Sequence, residues 1–329
     1  MFTEQMLRKN PALVKALTGL PADEFWKMRE QMENQLAAYD AQRLDRADRQ
    51  RAVGAGRECD QPLSLRTMAL LTYLRLHVPQ TVVALLFGMT QCDISRDLRR
   101  LIPLIQVILP CPEVWKVIEE EPANPPKPLT LEQLTDKRAL VDATEQRISR
   151  PGDNETRKEY YSGKKKQFTL KTQFVTDGDH HIAAISETVP GADHDKKLSD
   201  AVQTIARLPD GCEADADTGY QGLAAQVTQV TVRNVETGRE QQIPRLTVHT
   251  PFKKPRGGEL TDEQKTFNQQ LSAIRVRVEH CIGWAKNWAI LATRFRCAHS
   301  IYTSVMRTIC GLVNAQTQRW QTAQAANSA

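Results

Sequence analysis

The sequence predicts an all-α amino-terminal part containing a helix-turn-helix, followed by an α/β domain in which helices flank a mixed sheet. Three observations predict it. Helical segments fill residues 21–101, a proline-rich break spans Glu119–Pro128, and beyond the break short apolar stretches alternate with helical ones. The 329 residues, 40% hydrophobic and 25% charged, suffice for two domains with real cores.

Residues 1–60 form a helical region whose main element runs from Pro21 to Arg51, begun at Pro21-Ala22-Asp23 and ended before Gly54-Ala55-Gly56. Its weak apolar stripe, Phe25, Met28, Met32 and Leu36, suits packing on another element or on a second subunit. In residues 61–112 three short helices follow: Ser64–Leu76, Thr81–Phe87 and Gln91–Leu101. Ala84, Gly88, Ile94 and Leu98 have helix-turn-helix spacing, a small residue admitting the neighbouring helix and glycine the turn. Gln91, Ser95, Arg96, Arg99 and Arg100 fall on the outer face of the third helix, where a major-groove reader carries its contacts. The alternative is a packing module with solvated arginines. Residues 113–138 read as a linker, since Pro122, Pro125, Pro126 and Pro128 cannot continue a helix.

Residues 139–320 form the α/β part. Strands are expected at Ala139–Ala143, Phe168–Thr176, Ile182–Glu187 and Glu213–Asp217, with a helix at His194–Arg207. Asp177-Gly178-Asp179 is a turn, and the adjoining His180-His181 pair is too short and exposed for a metal site. Between Leu223 and Leu246, runs at Val227–Val232 and Arg245–His249, interrupted by Glu236-Thr237-Gly238, suggest an inserted hairpin and a fifth strand without assigned role. Leu260–Ile290 has no proline and reads as a long helix, and 321–329 as a flexible tail.

At roughly 100° per residue, Ser272, Arg275, Glu279 and Lys286 share one narrow face of that helix, while Ile274, Val278, Cys281, Ala285 and Trp288 make a separate core stripe. A solvated salt-bridge face is the ordinary explanation of such charges. Against it stand Asp142 in Leu140-Val141-Asp142-Ala143-Thr144 and Asp217 in Ala216-Asp217-Thr218-Gly219-Tyr220, both at expected strand ends. Carboxylates converging from separate elements are what a protein needs to hold divalent metals against a phosphodiester. Asp215 lies two residues before Asp217 on the same strand face and is read as structural; Asp195 is as easily a helix cap as a catalytic group.

The Ser272, Arg275, Glu279, Lys286 spacing resembles the Tyr, Arg, Glu, Lys motif of DDE transposases of the insertion-sequence-five type, also described as DDE superfamily endonucleases, with serine in the tyrosine position. Further matches are Asp217-Thr218-Gly219-Tyr220-Gln221-Gly222, residues 158–166 (KEYYSGKKK), residues 253–261 (KKPRGGELT) and His194-Asp195, within a resemblance covering roughly residues 63–314. The resemblance implies an RNase H-like fold whose first and fourth strands lie side by side, bringing Asp142 to Asp217. It implies two Mg²⁺ (or Mn²⁺) ions per active site, Asp142 bridging them while Asp217 and Glu279 each hold one. Water would cut at the element's ends, and the freed 3′ hydroxyl would attack target DNA. DNA contacts are then expected from Arg96, Arg99 and Arg100 of the third helix, and from Lys164, Lys165, Lys166, Lys253, Lys254, Arg275 and Lys286. A dimer or higher oligomer on the insertion-sequence ends is expected. A transposase-derived DNA-binding regulator that has lost catalysis is the alternative, and the presence of all three carboxylates favours the active enzyme.

Charge agrees with a polyanionic partner. The net charge is only +5, but residues 146–171 carry eight basic groups against three acidic ones. Seven cysteines, an odd number with no Cys-x-x-Cys pair, argue against a disulfide framework and a zinc site. Without a signal-like amino terminus or an 18-residue apolar run, a cytoplasmic protein with no membrane partner is expected, nucleoid-associated when on DNA.

Overall fold

The computed structural model describes residues 1–45, 47, 50, 60–119, 126–233 and 240–328. The chain divides into two compact units: Met1–Pro110, Lys286–Thr293 and Cys297–Leu312 make one, and Cys111–Ala285, Arg294–Arg296 and Val313–Ala329 the other.

The first unit is helical. It opens with α1 (Glu4–Lys9), α2 (Pro11–Thr18) and α3 (Ala22–Leu44), and the glycines expected to end α3 lie outside the described residues. Phe25, Met28 and Met32 of α3 are buried, and the Thr67 hydroxyl lies 3.8 Å from the Met32 sulfur, so the apolar stripe finds its partner within the unit. Then come α4 (Leu63–Leu76), α5 (Gln80–Phe87) and α6 (Gln91–Ile108). α4 is buried from Ser64 to Leu74 on every side, which makes it the axis the others pack around.

Left-handed residues end the first two helices of this trio, His77 at φ 48° and Gly88 at φ 64°. A Cβ on Gly88 would come within 2.8 Å of the Met1 sulfur, so the turn needs glycine for both its backbone and its space. Thr90 starts α6 with a reciprocal cap: its hydroxyl accepts from the Asp93 N–H at 3.2 Å, and the Asp93 carboxylate accepts from the Thr90 N–H at 2.9 Å. α6 runs beyond the expected Leu101, through Pro103, to Ile108. The proline removes one N–H bond, and burial of Leu101, Ile102, Leu104 and Ile105 on one side offsets that loss.

Returning segments complete this unit. The Tyr73 hydroxyl meets the Cys297 thiol at 3.1 Å, His77 Nδ1 meets the Thr293 hydroxyl at 2.7 Å, and the Gln106 amide donates to the Thr308 hydroxyl at 2.9 Å. Residues 286–293 and 297–312, which the sequence places in the 139–320 domain, pack with the helical unit.

The second unit holds β1 (Glu113–Trp115), β2 (Arg138–Arg147), α7 (Asn154–Tyr160), β3 (Tyr161–Ser162), β4 (Gln167–Thr176), β5 (Ile182–Ser186), β6 (Val189–Pro190), α8 (Asp195–Ala201) and α9 (Thr204–Arg207). It continues with β7 (Glu213–Ala216), β8 (Gln229–Arg233), β9 (Glu240–Pro244), β10 (Thr247–His249) and α10 (Asp262–Lys286). α11 (Ala289–Ala292) and α12 (Tyr302–Ser328) follow. The sheet order is β1-β5-β4-β2-β7-β10, with β3 and β6 also on β4. β4 is antiparallel to β2 and β5, while β2–β7, β7–β10 and β1–β5 are parallel. This is a mixed sheet with flanking helices, the RNase H-like arrangement expected. Leu198, Val202, Ile205 and Leu208 cover it, packing with Val141, Val175, Ala214 and Ala216 in one core.

Four boundaries differ from the sequence reading. β1 lies inside the supposed linker, where parallel pairing with β5 recruits three residues; Pro122 and Pro125 lie outside the described residues. β2 continues five residues beyond Asp142, because β4 pairs with it as far as Arg147. The helix expected at His194–Arg207 is broken by left-handed Gln203 into α8 and α9. α12 extends helically to Ser328, through the expected tail. The expected hairpin is present as β8–β9, and the fifth strand as β10; Glu236-Thr237-Gly238 lies outside the described residues.

Candidate active site

Strand register brings the two aspartates together. β2 and β7 run parallel with Val141 opposite Ala216, and one residue further on lie Asp142 and Asp217. Beyond β7 the chain turns through Thr218–Tyr220, and the Asp217 carboxylate caps that turn by accepting the Thr218 N–H at 2.6 Å. Asp142 accepts the Ala143 N–H at 2.8 Å.

Arg275 of α10 faces this pair. Its guanidinium stands 3.8 Å from Asp142 Oδ2 and 3.7 Å from Asp217 Oδ1. It is buried within the stripe Leu271, Arg275, Val278, Cys281 and Ala285, whereas Glu279, one turn on, is exposed. The expected single face is thus split: the edge of the buried stripe passes between Arg275 and Glu279. Among the described residues no three His, Cys, Asp or Glu side chains form a metal-holding group, so the structure unites two of the three expected carboxylates. Lys286 closes α10 and belongs to the helical unit; Ile274 is half-buried, and Trp288 lies just past the helix.

The pair's electrostatics favour a cation. Burial, foremost, pushes the Asp142 carboxyl up to about 6; the Ala143 N–H and Arg275 pull it down, and Asp217 and Asp195 push it up again. Tyr220 is fully buried with a hydroxyl that has no hydrogen-bond partner, and Arg275 Nε is likewise buried without one. Burial holds the Tyr220 phenol well above its usual range, reinforced by Asp195, Asp142 and Asp217. Mg²⁺ keeps several waters and binds through one or two carboxylates plus substrate phosphates, so the Asp142 and Asp217 carboxylates fit such an ion.

The raised Asp142 value has a pH consequence. A carboxyl whose folded value exceeds its unfolded one binds more protons when folded, so its contribution favours the fold at low pH and is lost as pH rises from about 4 through about 6. Metal-free Asp142→Asn should therefore be more stable than the natural chain at pH 7.5, by about 2 kcal/mol, and show no gain at pH 4. Urea unfolding at the two pH values checks this, and equal differences at both would exclude it.

The remaining expected residues are distributed. Arg96 and Arg99 are exposed on α6, Arg96 paired with Asp93 at 2.7 Å. Arg100 is half-buried in an ion pair with Asp40 of α3, which fastens α6 to its neighbour. Lys164, Lys165 and Lys166 are exposed in the turn between β3 and β4, and Lys253 and Lys254 are exposed before α10, Lys254 paired with Glu259. Within the basic stretch 146–171, Lys158 pairs with Glu155, and Lys171 is buried against Asp195. Asp215 is fully buried between Arg138 and His249, with His249 Nδ1 at 2.9 Å, a structural position. Asp195 opens α8 as its first helical residue; His194 holds the cap position, and the Asp195 carboxylate is used by Lys171. Sequence reasoning missed Lys171, whose signal was a lysine inside an otherwise apolar and Thr-rich strand.

Among the described residues no helix is long and apolar enough to cross a membrane. A family model described as DDE superfamily endonuclease matches residues 141–314. The chain is also similar to a probable transposase for insertion sequence element IS702 from Microchaete diplosiphon, 30% identical over 175 residues, which are 53% of this chain and 55% of that protein. The match thus spans about half the length of that curated relative.

Proposed function

The chain belongs to the DDE superfamily endonucleases, and from that premise we propose that it is a transposase that binds the ends of its own insertion sequence, cuts DNA there, and joins the freed 3′ ends to target DNA. The observation that carries this reading is the side-by-side placement of Asp142 and Asp217 on adjacent parallel strands, with Arg275 facing both. A resemblance to a probable transposase over about half its length supports the same activity.

In this reading Asp142 and Asp217 would hold Mg²⁺ or Mn²⁺, and Glu279, exposed one turn beyond Arg275, would supply a third ligand with DNA bound, two ions per site being the family pattern. When bound, such ions stabilise negative charge on the attacking and leaving oxygens of a phosphodiester and lower the pKa of water. The chain's own groups prepare that site. Arg275 offsets the repulsion between the two carboxylates and keeps them from splaying apart. The fully buried Tyr220, next to the Asp217 turn, keeps bulk water from that side of the carboxylates, which strengthens electrostatic effects at the scissile phosphate. Hydrolysis breaks the P–O3′ bond at the element's end and leaves a 3′ hydroxyl. That hydroxyl then attacks a target phosphodiester, forming one P–O bond as another breaks. Incubating the protein with its flanking DNA and Mg²⁺ tests the reading: nicks at the element's ends are expected, and no cleavage with either Mg²⁺ or Mn²⁺ would overturn it.

End recognition is assigned to α6. Arg96 and Arg99 are exposed near its beginning and middle, whereas Arg100 is engaged with Asp40. Replacing Arg96 and Arg99 by alanine should weaken binding to the specific end by roughly 1–3 kcal/mol for each arginine that reads a base edge, with circular dichroism unchanged. Unchanged specific affinity in a gel-shift titration would remove α6 as the reading helix.

A further inference from the structure

Behind the Asp142–Asp217 pair lies a buried charge that the proposed chemistry does not use. Lys171 sits on β4 in register with Glu145 of β2, three residues beyond Asp142. It is 6% exposed. Its ammonium donates to Asp195 Oδ1 at 2.8 Å and to the Asp193 carbonyl, and lies 3.8 Å from Glu145 Oε1. Thr169 donates to the other Glu145 oxygen at 2.8 Å.

The contact continues to the second aspartate. A Cβ on Gly219 would stand 2.7 Å from Asp195 Oδ2, so Asp195 occupies the space a side chain there would need. Gly219 is two residues past Asp217, in the turn that Asp217 caps. Next to it is Tyr220, fully buried, with its unpartnered hydroxyl. The ammonium therefore links β2, which carries Asp142, to the start of α8, whose Asp195 in turn packs closely against the turn that carries Asp217. Lys171 is paired with Glu145 and Asp195, and Arg275 with Asp142 and Asp217, so four carboxylates share two cations.

We propose that Lys171 is a positioning residue for the divalent-cation site: through Asp195 and Gly219 it fixes the Asp217 turn against the Asp142 strand, and thereby sets the affinity of the pair for the ion. Burying an ammonium is costly and is sustained here by two carboxylates and a carbonyl. Groups that orient metal-holding side chains commonly change metal affinity ten- to a hundredfold when removed. The proposal rests on the reading of Asp142 and Asp217 as metal-holding.

Mn²⁺ binding to the full-length protein without DNA tests it, measured by calorimetry at pH 7.5, below the melting temperature of every variant. Lys171→Met and Asp195→Asn are each expected to weaken Mn²⁺ binding by about tenfold or more. The double variant should bind no more weakly than the worse single one, because both changes cut the same tie. Lys171→Arg should retain most of the affinity. If Lys171→Met melts lower yet binds Mn²⁺ as tightly as the natural chain, the lysine is structural only and the proposal is overturned. Should Lys171→Met not fold, Asp195→Asn decides by the same criterion. Asp217→Ala separates the two levels: undiminished Mn²⁺ binding by that variant would remove the metal reading itself, whereas weakened binding there with normal binding by Lys171→Met removes the positioning role alone.

Discussion

Asp142→Ala, Asp217→Ala and Glu279→Ala are each expected to reduce Mg²⁺-dependent cleavage of end DNA by on the order of 10⁴-fold, while affinity for the uncut end should stay nearly intact. The asymmetry follows from where each free energy arises. Groups holding a catalytic ion act mainly on charge that develops in the transition state, whereas affinity for a duplex comes mostly from phosphate contacts elsewhere. Asp142 and Asp217 are adjacent in register, so their substitutions should be strongly non-additive, the double variant being little worse than either single one. Glu279 is the sharper test, because it is exposed and outside the buried stripe. Cleavage by Glu279→Ala at the natural rate would assign the chemistry to the two aspartates alone. Cleavage by Asp217→Ala would sink the whole assignment.

How far the sequence could be read depended on whether a feature is local or made by contact. The Asp217 strand, the Gly88 turn and the β8–β9 hairpin each carry their signal within a few residues, and each is present. The sequence ends the β2 strand at Ala143 because Thr144–Arg147 is polar. It is nonetheless paired with β4 as far as Arg147, with Thr144 and Gln146 buried and Glu145 beside the Lys171 ammonium. β1 is three residues long and exists only through β5, so no local pattern could mark it. Helical arithmetic placed Arg275 and Glu279 about 40° apart and so on one face. That resolution is too coarse to tell that one is buried against the aspartates and the other exposed. The division between units also lacks a local signal: residues 286–293 and 297–312 follow α10 in sequence but pack with the amino-terminal helices.

The helical unit contains the other illegible feature, and it carries the second large effect. Arg66 Nε donates to Asp97 Oδ2 at 3.0 Å and its Nη2 to the second oxygen, joining α4 to α6 with side chains only 8% and 6% exposed. Nothing local predicts the partner, although a charge inside a helix that is otherwise buried all round demands one. Arg66→Met leaves the Asp97 carboxylate buried without its cation, and should cost roughly 3–5 kcal/mol of this unit's stability. Replacing both partners removes the buried charge along with the bond, so Arg66→Met with Asp97→Leu should recover most of that loss. Because the pair sits beneath the helix that carries Arg96 and Arg99, the single variant should lose end binding in parallel with folding, and the double variant should regain both. Urea unfolding together with gel-shift titration of the three proteins measures this. A single variant within 1 kcal/mol of the natural chain would mean that water reaches Asp97, contrary to its buried position between α4 and α6.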